Sequence, residues 1–248
     1  MHPILLEFGP IKIYGYGLAI ALGFMVSAYL VRQKAKQQGL DPEVILNLIF
    51  GCVIFGIIGA RLLYVWQNLG FYLDDPWQIL MLQKGGLSFF GGLVLAIAFA
   101  LLYISKRRLR VAAVFDLLAP YLALAQAIGR IGCLLNGCCY GKVTSLAFAI
   151  CFPDQGLLRH PVQIYSCLSL LAIFACLRIL QDRVQLKPGS LFFIYCWLYS
   201  GLRFLLEFLR ADNPLVLANF TLPQLFSIFI FVISSIVLWR YGKLSTAG

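Results

Sequence analysis

The sequence predicts an all-α, polytopic integral membrane protein, and three observations support that expectation. Of 248 residues, 61% are hydrophobic and only 12% are charged, too little charge to keep a domain of this size in water. The apolar residues fall in continuous runs, not in the period-two alternation of a membrane barrel. Most of these runs are roughly 17–25 residues long, the length a helix needs to cross the hydrocarbon core.

About seven spans are expected, near residues 14–31, 46–66, 87–104, 112–129, 162–180, 190–209 and 222–239. The fourth runs into a glycine-rich motif, so its end is set at the first glycines. The stretch at about 130–161 is then the longest segment between spans, dense in Gly, Cys, Asn, Lys and Pro. Residues 1–248 are read as one transmembrane domain, with no short internal repeat and no low-complexity tract. The opening MHPILLEFGP has no basic region, so the apolar run behind it is read as the first span and not as a cleaved signal.

Twenty Lys and Arg face ten Asp and Glu, a formal net charge of +10. The distribution decides what this excess means. Arg32, Lys34 and Lys36 follow the first span, and Lys106, Arg107, Arg108 and Arg110 follow the third. Arg178, Arg183 and Lys187 border the fifth-to-sixth connection, and Arg240 and Lys243 follow the seventh. Loops on the other side, with Asp74, Asp75 and Asp154, are poorer in basic residues. The positive-inside rule puts the basic loops and the C-terminus in the cytoplasm, and the N-terminus and the 130–161 segment outside. Anionic membrane lipids are the expected partners of these charges, and nucleic acid is not.

Ionisable residues inside spans are a sharper signal, because a charge in hydrocarbon costs several kcal/mol without a cavity or a partner. Arg61, Asp116, Arg130, Arg203 and Glu207 qualify. In YSGLRFLLEFLR, the spacings of four, four and three put Tyr199, Arg203, Glu207 and Arg210 on one helical face. An Arg203–Glu207 ion pair that locks helices together is one reading. An anion site is the other, favoured because Arg61 and Arg130 add positive charge and the guanidinium fork suits phosphate.

The glycines of GGLSFFGG (Gly85 to Gly92) and of GRIGCLLNGCCYG (Gly129, Gly132, Gly137 and Gly141) permit close approach of backbone to a neighbour or a ligand. Arg130 and Asn136 lie within the second motif. Most of the eight cysteines are scattered through apolar spans as small hydrophobes, but Cys133, Cys138 and Cys139 cluster in it. The C-x-x-C spacing of a metal site is absent there, so no metal and no cofactor are expected, and a disulfide or a reactive thiol stays open.

The order GPIKIYGYGLAIALGF, GARLLYVW, DPWQILMLQKGGLSFFGGL, GRIGCLLNGCCYGK, RHPVQIY and YSGLRFLLEFLR resembles the bacterial prolipoprotein diacylglyceryl transferase family over most of the chain. The resemblance implies a multi-pass enzyme of the bacterial cytoplasmic (inner) membrane. Its partners would be phosphatidylglycerol and the lipobox cysteine of a prolipoprotein signal peptide, with glycerol phosphate released. It implies that Tyr16, Arg130, Tyr199, Arg203 and Glu207 stand at functional positions, Arg130 and Arg203 holding the lipid phosphate. Asn136, His160, Gln163 and Tyr165 match further motif positions. With Arg61, Gly137, Cys138 and Arg210, the residues Asn136, Gln163 and Tyr165 form the expected substrate-binding set, and His160 joins the catalytic one.

Three departures from the family pattern stand out. Phe90 replaces the His of a third-span S-F-H-G-G motif, the proposed base. In the signature that usually reads G-R-x-G-N-F-x-N-x-E, Cys133 and Leu134 replace Asn and Phe, and Cys138 replaces Glu. Ser166 stands where a Glu commonly follows H-P-x-Q-x-Y. The external insertion before His160 is also short. Thiol attack needs thiolate, and a free Cys of pKa about 8.5 is only partly ionised at neutral pH. His160, Tyr16 or the field of the arginines is left to supply the help that Phe90 cannot. An active transferase and a non-catalytic or redirected phospholipid-binding relative are the two readings carried forward; a secondary transporter would leave the ordered motifs unexplained.

Overall fold

The structure is a computed structural model that describes residues 4–8, 11–81, 85–152, 156–217 and 219–245. His2, Gln83, Lys84 and Asp154 lie outside the described residues. In chain order the elements are β1 (Ile4–Phe8), β2 (Ile11–Tyr14), α1 (Gly15–Gln37), α2 (Pro42–Gln67), α3 (Leu69–Asp74), a 3-10 turn (Pro76–Leu80), α4 (Phe89–Lys106) and α5 (Val111–Asn136). After α5 come β3 (Ile150–Cys151), β4 (Leu158–Arg159), α6 (Val162–Arg183), α7 (Ser190–Glu207), β5 (Leu215–Leu217), β6 (Phe220–Thr221) and α8 (Leu222–Ser245). The strands form three antiparallel pairs, β1 with β2, β3 with β4 and β5 with β6.

Among the described residues, α1, α2, α4, α5, α6 and α8 are each long and apolar enough to cross a membrane. Large side chains such as Met25 (65% exposed), Val94 (68%) and Phe229 (63%) point out from them. That surface suits lipid and would be costly in water. The remaining long helix, α7, has 18 residues and carries Arg203 and Glu207. The helix ends follow local rules. Asp41 caps α2, its carboxylate accepting from Glu43 N–H at 2.9 Å, with Pro42 in the first turn. Gly39 (φ 71°) closes α1 as Leu40 N–H donates to Ala35 C=O at 2.9 Å.

The chain divides into two compact units, Met1–Leu30 with Phe115–Gly248, and Val31–Val114. The smaller unit is built on α2 against α4, whose backbones meet where side chains are missing. A Cβ on Gly59 would lie 2.4 Å from Gly91 O, and one on Gly91 would lie 2.3 Å from Gly59 O. Gly92 faces Gly56 O in the same way at 2.9 Å. Such mutual approach lets dispersion and close packing join helices where lipid offers no hydrophobic gain.

In the larger unit α5, α6 and α7 share a core of Ala119, Ala123, Ile173, Leu177, Leu191 and Tyr195. Asp116 fixes the start of α7. Its carboxylate accepts from Gly189 N–H at 2.6 Å and Phe192 N–H at 2.8 Å, a capping role supplied from another helix. Trp197 stacks on Phe231 with centroids 5.2 Å apart and donates Nε1–H to Ser235 Oγ at 3.1 Å, joining α7 to α8.

Replacing Gly91 or Gly59 with Ala is expected to lower stability by about 1–3 kcal/mol through overpacking. Gly70→Ala, with nothing within 4 Å of its Cβ position, is the control. Thermal unfolding in detergent checks this; an unchanged midpoint for both Gly59→Ala and Gly91→Ala would remove the close crossing as a stabilising element.

Candidate active site

The site grows from the end of α5. Sequence reading stopped this helix near residue 129, but it continues through Arg130 and Gly132 to Asn136. At Gly132 the helix packs closely against α1. A Cβ on Gly132 would lie 2.9 Å from Ala19 Cβ and 3.2 Å from Tyr16 O. Tyr16, in the first turn of α1, is thereby held beside the turn that carries Arg130.

Gly137 (φ 73°) then closes the helix in a Schellman turn: Cys138 N–H donates to Cys133 C=O and Gly137 N–H to Leu134 C=O, each at 3.1 Å. Cys139 is also left-handed, at φ 63°, unusual for a residue with a side chain. Beyond it three segments join by main-chain bonds. Gly141 N–H donates to His160 C=O at 3.0 Å, His160 N–H to Lys142 C=O at 3.0 Å, and Lys142 N–H to Leu209 C=O at 2.7 Å. Only glycine fits at 141, since a Cβ would sit 2.5 Å from His160 Cβ and 2.9 Å from Leu209 O. Gln163, 1% exposed, donates Nε2–H to Cys138 C=O at 2.7 Å and ties the turn to α6.

Charge enters from the end of α7. Glu207 is buried, its side chain wholly so. It pairs with Arg203 at 3.0 Å and more distantly with Arg210 at 3.8 Å. Its other oxygen accepts from Thr221 Oγ1 at 2.9 Å and from Asn213 Nδ2. Arg210 gives its fork to Asp212, Nε at 2.9 Å and Nη2 at 2.6 Å. Burial opposes the Arg210 charge, yet the Asp212 hydrogen bonds and carboxylate hold the guanidinium protonated more firmly than usual. Arg130 is different: among the described residues nothing forms an ion pair or a side-chain hydrogen bond with it. It lies within electrostatic range of Tyr16, Cys139 and Arg203. Tyr199, stacked on Tyr195 at 5.8 Å, is also within range of Arg203.

His160 Nδ1 shares a 3.4 Å hydrogen bond with Tyr165 Oη. Sequence reading missed Arg159, which lies over the Tyr140 ring at 4.8 Å and donates to Gly141 C=O at 3.2 Å. The Sγ atoms of Cys133, Cys138 and Cys139 lie within 4.8 Å of one another. The Cys138 thiol lies 3.7 Å from Cys133 C=O, to which it donates. Hydrogen bonds from Cys133 and Cys138, with Arg210 and Arg130 nearby, lower the Cys139 thiol below the ordinary range although burial works the other way.

The larger unit therefore contains Tyr16, Arg130, Asn136, Gly137, Cys138, His160, Gln163, Tyr165, Tyr199, Arg203, Glu207 and Arg210. Arg61 and Phe90 belong to the smaller one. Sequence reading took Arg61 as unpaired charge, but it is 6% exposed and its donors reach main-chain oxygens. Nε meets Ile79 O at 2.9 Å, Nη1 meets Gly85 O at 2.6 Å and Gly86 O at 2.9 Å, and Nη2 meets Gln78 O. Phe90, in the first turn of α4, stands edge-on to Phe89 at 5.7 Å.

The family model described as "Prolipoprotein diacylglyceryl transferase" matches residues 3–240. The chain belongs to the prolipoprotein diacylglyceryl transferase family. It is 35% identical to a protein of Clostridium tetani over 96% of both chains. It is 30% identical to one of Staphylococcus aureus over 98% of this chain and 90% of that one, and 29% identical to one of Bacillus velezensis over 96% and 91%. All three relatives are named phosphatidylglycerol–prolipoprotein diacylglyceryl transferase. Membership confirms the family suggested by the ordered motifs, and with the apolar helices it makes this a multi-pass membrane protein.

Asn213, Thr221 and Asp212 were not foreseen. They sit in loops or short strands after α7, and no motif or periodicity marks them as partners of Glu207 and Arg210. Because breaking one partner of a buried pair leaves the other charge uncompensated, Glu207→Ala is expected to cost about 3–5 kcal/mol. Thermal unfolding in detergent measures it; a loss below about 1 kcal/mol would show that the network is not structural.

Proposed function

We propose that this protein transfers diacylglyceryl from phosphatidylglycerol to the lipobox cysteine thiol of a prolipoprotein, in the cytoplasmic membrane of a bacterium. The observation that carries the reading is the charge left over around Glu207. That one carboxylate faces Arg203 and Arg210, Asp212 takes the fork of Arg210, and among the described residues no acid pairs with Arg130. An anion of one negative charge, such as the phosphodiester of phosphatidylglycerol, supplies what the protein does not.

Arg130 and Arg203 would hold the phosphate and stabilise the charge that grows on it as glycerol phosphate leaves. The acceptor sulfur attacks the terminal glycerol carbon of the diacylglyceryl group, and the carbon–oxygen bond to phosphate breaks. Exclusion of water inside the bilayer would direct the reaction to the thiol in place of hydrolysis. Tyr16 and the His160–Tyr165 pair are the protein's polar groups for moving the thiol proton, because Phe90 offers none. Arg61 would act indirectly by gathering the carbonyls of Gln78, Ile79, Gly85 and Gly86.

Phe90 in place of the family's His also supports a second reading, a phospholipid-binding relative that has lost or redirected the chemistry. Incubating the purified protein with labelled phosphatidylglycerol and a lipobox peptide separates the two. Thioether peptide and glycerol phosphate in equal amounts are expected, and binding without either product would favour the relative.

The phosphate clamp is tested with lipid pairs. Arg130→Lys and Arg203→Lys are expected to weaken phosphatidylglycerol binding about tenfold or more, since Lys lacks the bidentate fork. Diacylglycerol, with the same tails and no phosphate, is expected to lose less. Equal losses for both lipids, or none, in nanodisc binding would make these arginines structural.

The topology completes the proposal: seven crossings with α7 as the sixth, the N-terminus outside, and the loops at 32–45, 105–111 and 181–189 in the cytoplasm. A cysteine at Lys106 is expected to resist membrane-impermeant maleimide in intact cells and to react after lysis. Strong labelling before lysis would reverse the orientation.

A further inference from the structure

The turn after α5 brings together three thiols that the phosphate clamp does not use. Cys133 comes from the last turn of the helix, and the Schellman turn at Gly137 followed by left-handed Cys139 folds Cys138 and Cys139 back over it. All three sulfurs lie within 4.8 Å of one another. Zinc–thiolate bonds of about 2.3 Å in a tetrahedron set sulfurs about 3.8 Å apart, so side-chain rotation of about 1 Å closes this triangle on an ion. The motif spacing, four residues between the first cysteine and an adjacent pair, is unlike C-x-x-C, so the cluster seen in the sequence does not read there as a metal site.

We propose that Cys133, Cys138 and Cys139 bind one zinc ion and leave its fourth position open for the acceptor cysteine of the lipobox. Three protein ligands with an open position is the arrangement of a reactive zinc site, whereas structural sites close with four. A borderline-soft ion prefers sulfur, which distinguishes this donor set from an oxygen site for calcium or magnesium. Zinc with three thiolates carries one negative charge, and Arg210 and Arg130 lie within electrostatic range of Cys139.

The inference rests on the transferase reading above and supplies what Phe90 removes. A thiol bound to zinc is deprotonated outright, so the metal replaces a base in making the nucleophile. The acceptor S–H loses its proton on binding, and a sulfur electron pair forms the carbon–sulfur bond. The carbon–oxygen bond to phosphate breaks with its electron pair on oxygen, and glycerol phosphate takes up one proton per turnover. Nothing is oxidised or reduced.

The test begins with fully reduced, chelator-treated protein in detergent, titrated with zinc sulfate. One equivalent of zinc per chain is expected, and Cys133→Ser, Cys138→Ser and Cys139→Ser are each expected to lose tight binding while eluting as the folded monodisperse protein. Cobalt(II) loaded instead of zinc reports ligand type through sulfur charge-transfer bands and intense tetrahedral d–d bands. A lipobox peptide with a free cysteine is expected to shift this spectrum, and its serine counterpart to leave it unchanged. Wild-type protein that binds no more zinc than the triple serine variant overturns the site, and so does a cobalt spectrum without sulfur bands. Cobalt bound through sulfur but blind to the cysteine peptide overturns the role in thiol activation. Full transfer by chelated, metal-free protein overturns the proposal while leaving the transferase reading intact. A peptide-dependent cobalt shift without transfer supports the metal site and counts against that reading.

Discussion

Unequal charge in a low-dielectric setting organises the larger unit. Glu207 is buried with its carboxylate between Arg203 and Arg210, and such a group persists only when its oxygens are satisfied. Thr221 and Asn213 satisfy one oxygen, and that requirement draws the chain after α7 back onto the helix end. Arg210, held by Asp212, pairs its backbone with Gly141 and so joins the charged end of α7 to the turn after α5. Charge compensation and loop position are one constraint here, and among the described residues Arg130 is a charge that no acid meets.

The helical architecture was legible because apolar run length and charge bias act locally and leave a direct imprint on sequence. The Arg203–Glu207 pair was also legible, as a four-residue spacing on one helix fixes proximity whatever surrounds it. Arg61 was not. Its partners are main-chain oxygens of Gln78, Ile79, Gly85 and Gly86, and every sequence has main-chain oxygens. A count of arginines against acids therefore overestimated the free charge. Among the described residues Arg130 meets no such carbonyl set.

The end of α5 misled for a physical reason. Two glycines and an arginine read as the start of a loop by propensity, which disfavours glycine in a helix by about 1 kcal/mol. At Gly132 the close approach of Tyr16 and Ala19 makes glycine the residue that fits, so tertiary packing overrides the local cost. The error mattered, because a helical Arg130 is fixed in direction and shares its helix with Cys133.

Much of the cradle around the site is main chain. The Schellman turn, the three-segment join at Gly141, and the bond from Gln163 to Cys138 C=O use backbone groups of residues 137–142, 160 and 209. These bonds are indifferent to the side chain carried at 133 or 138. A sequence can therefore exchange the family's Asn and Glu at those positions for thiols and keep the turn, whereas a side chain at Gly141 would collide with His160 and Leu209. What changes is the donor chemistry in the cradle, from hard oxygen and amide groups to soft sulfur. Such a division leaves the chain recognisable as a member of the family at about 30% identity to a relative while the donor groups of this turn change.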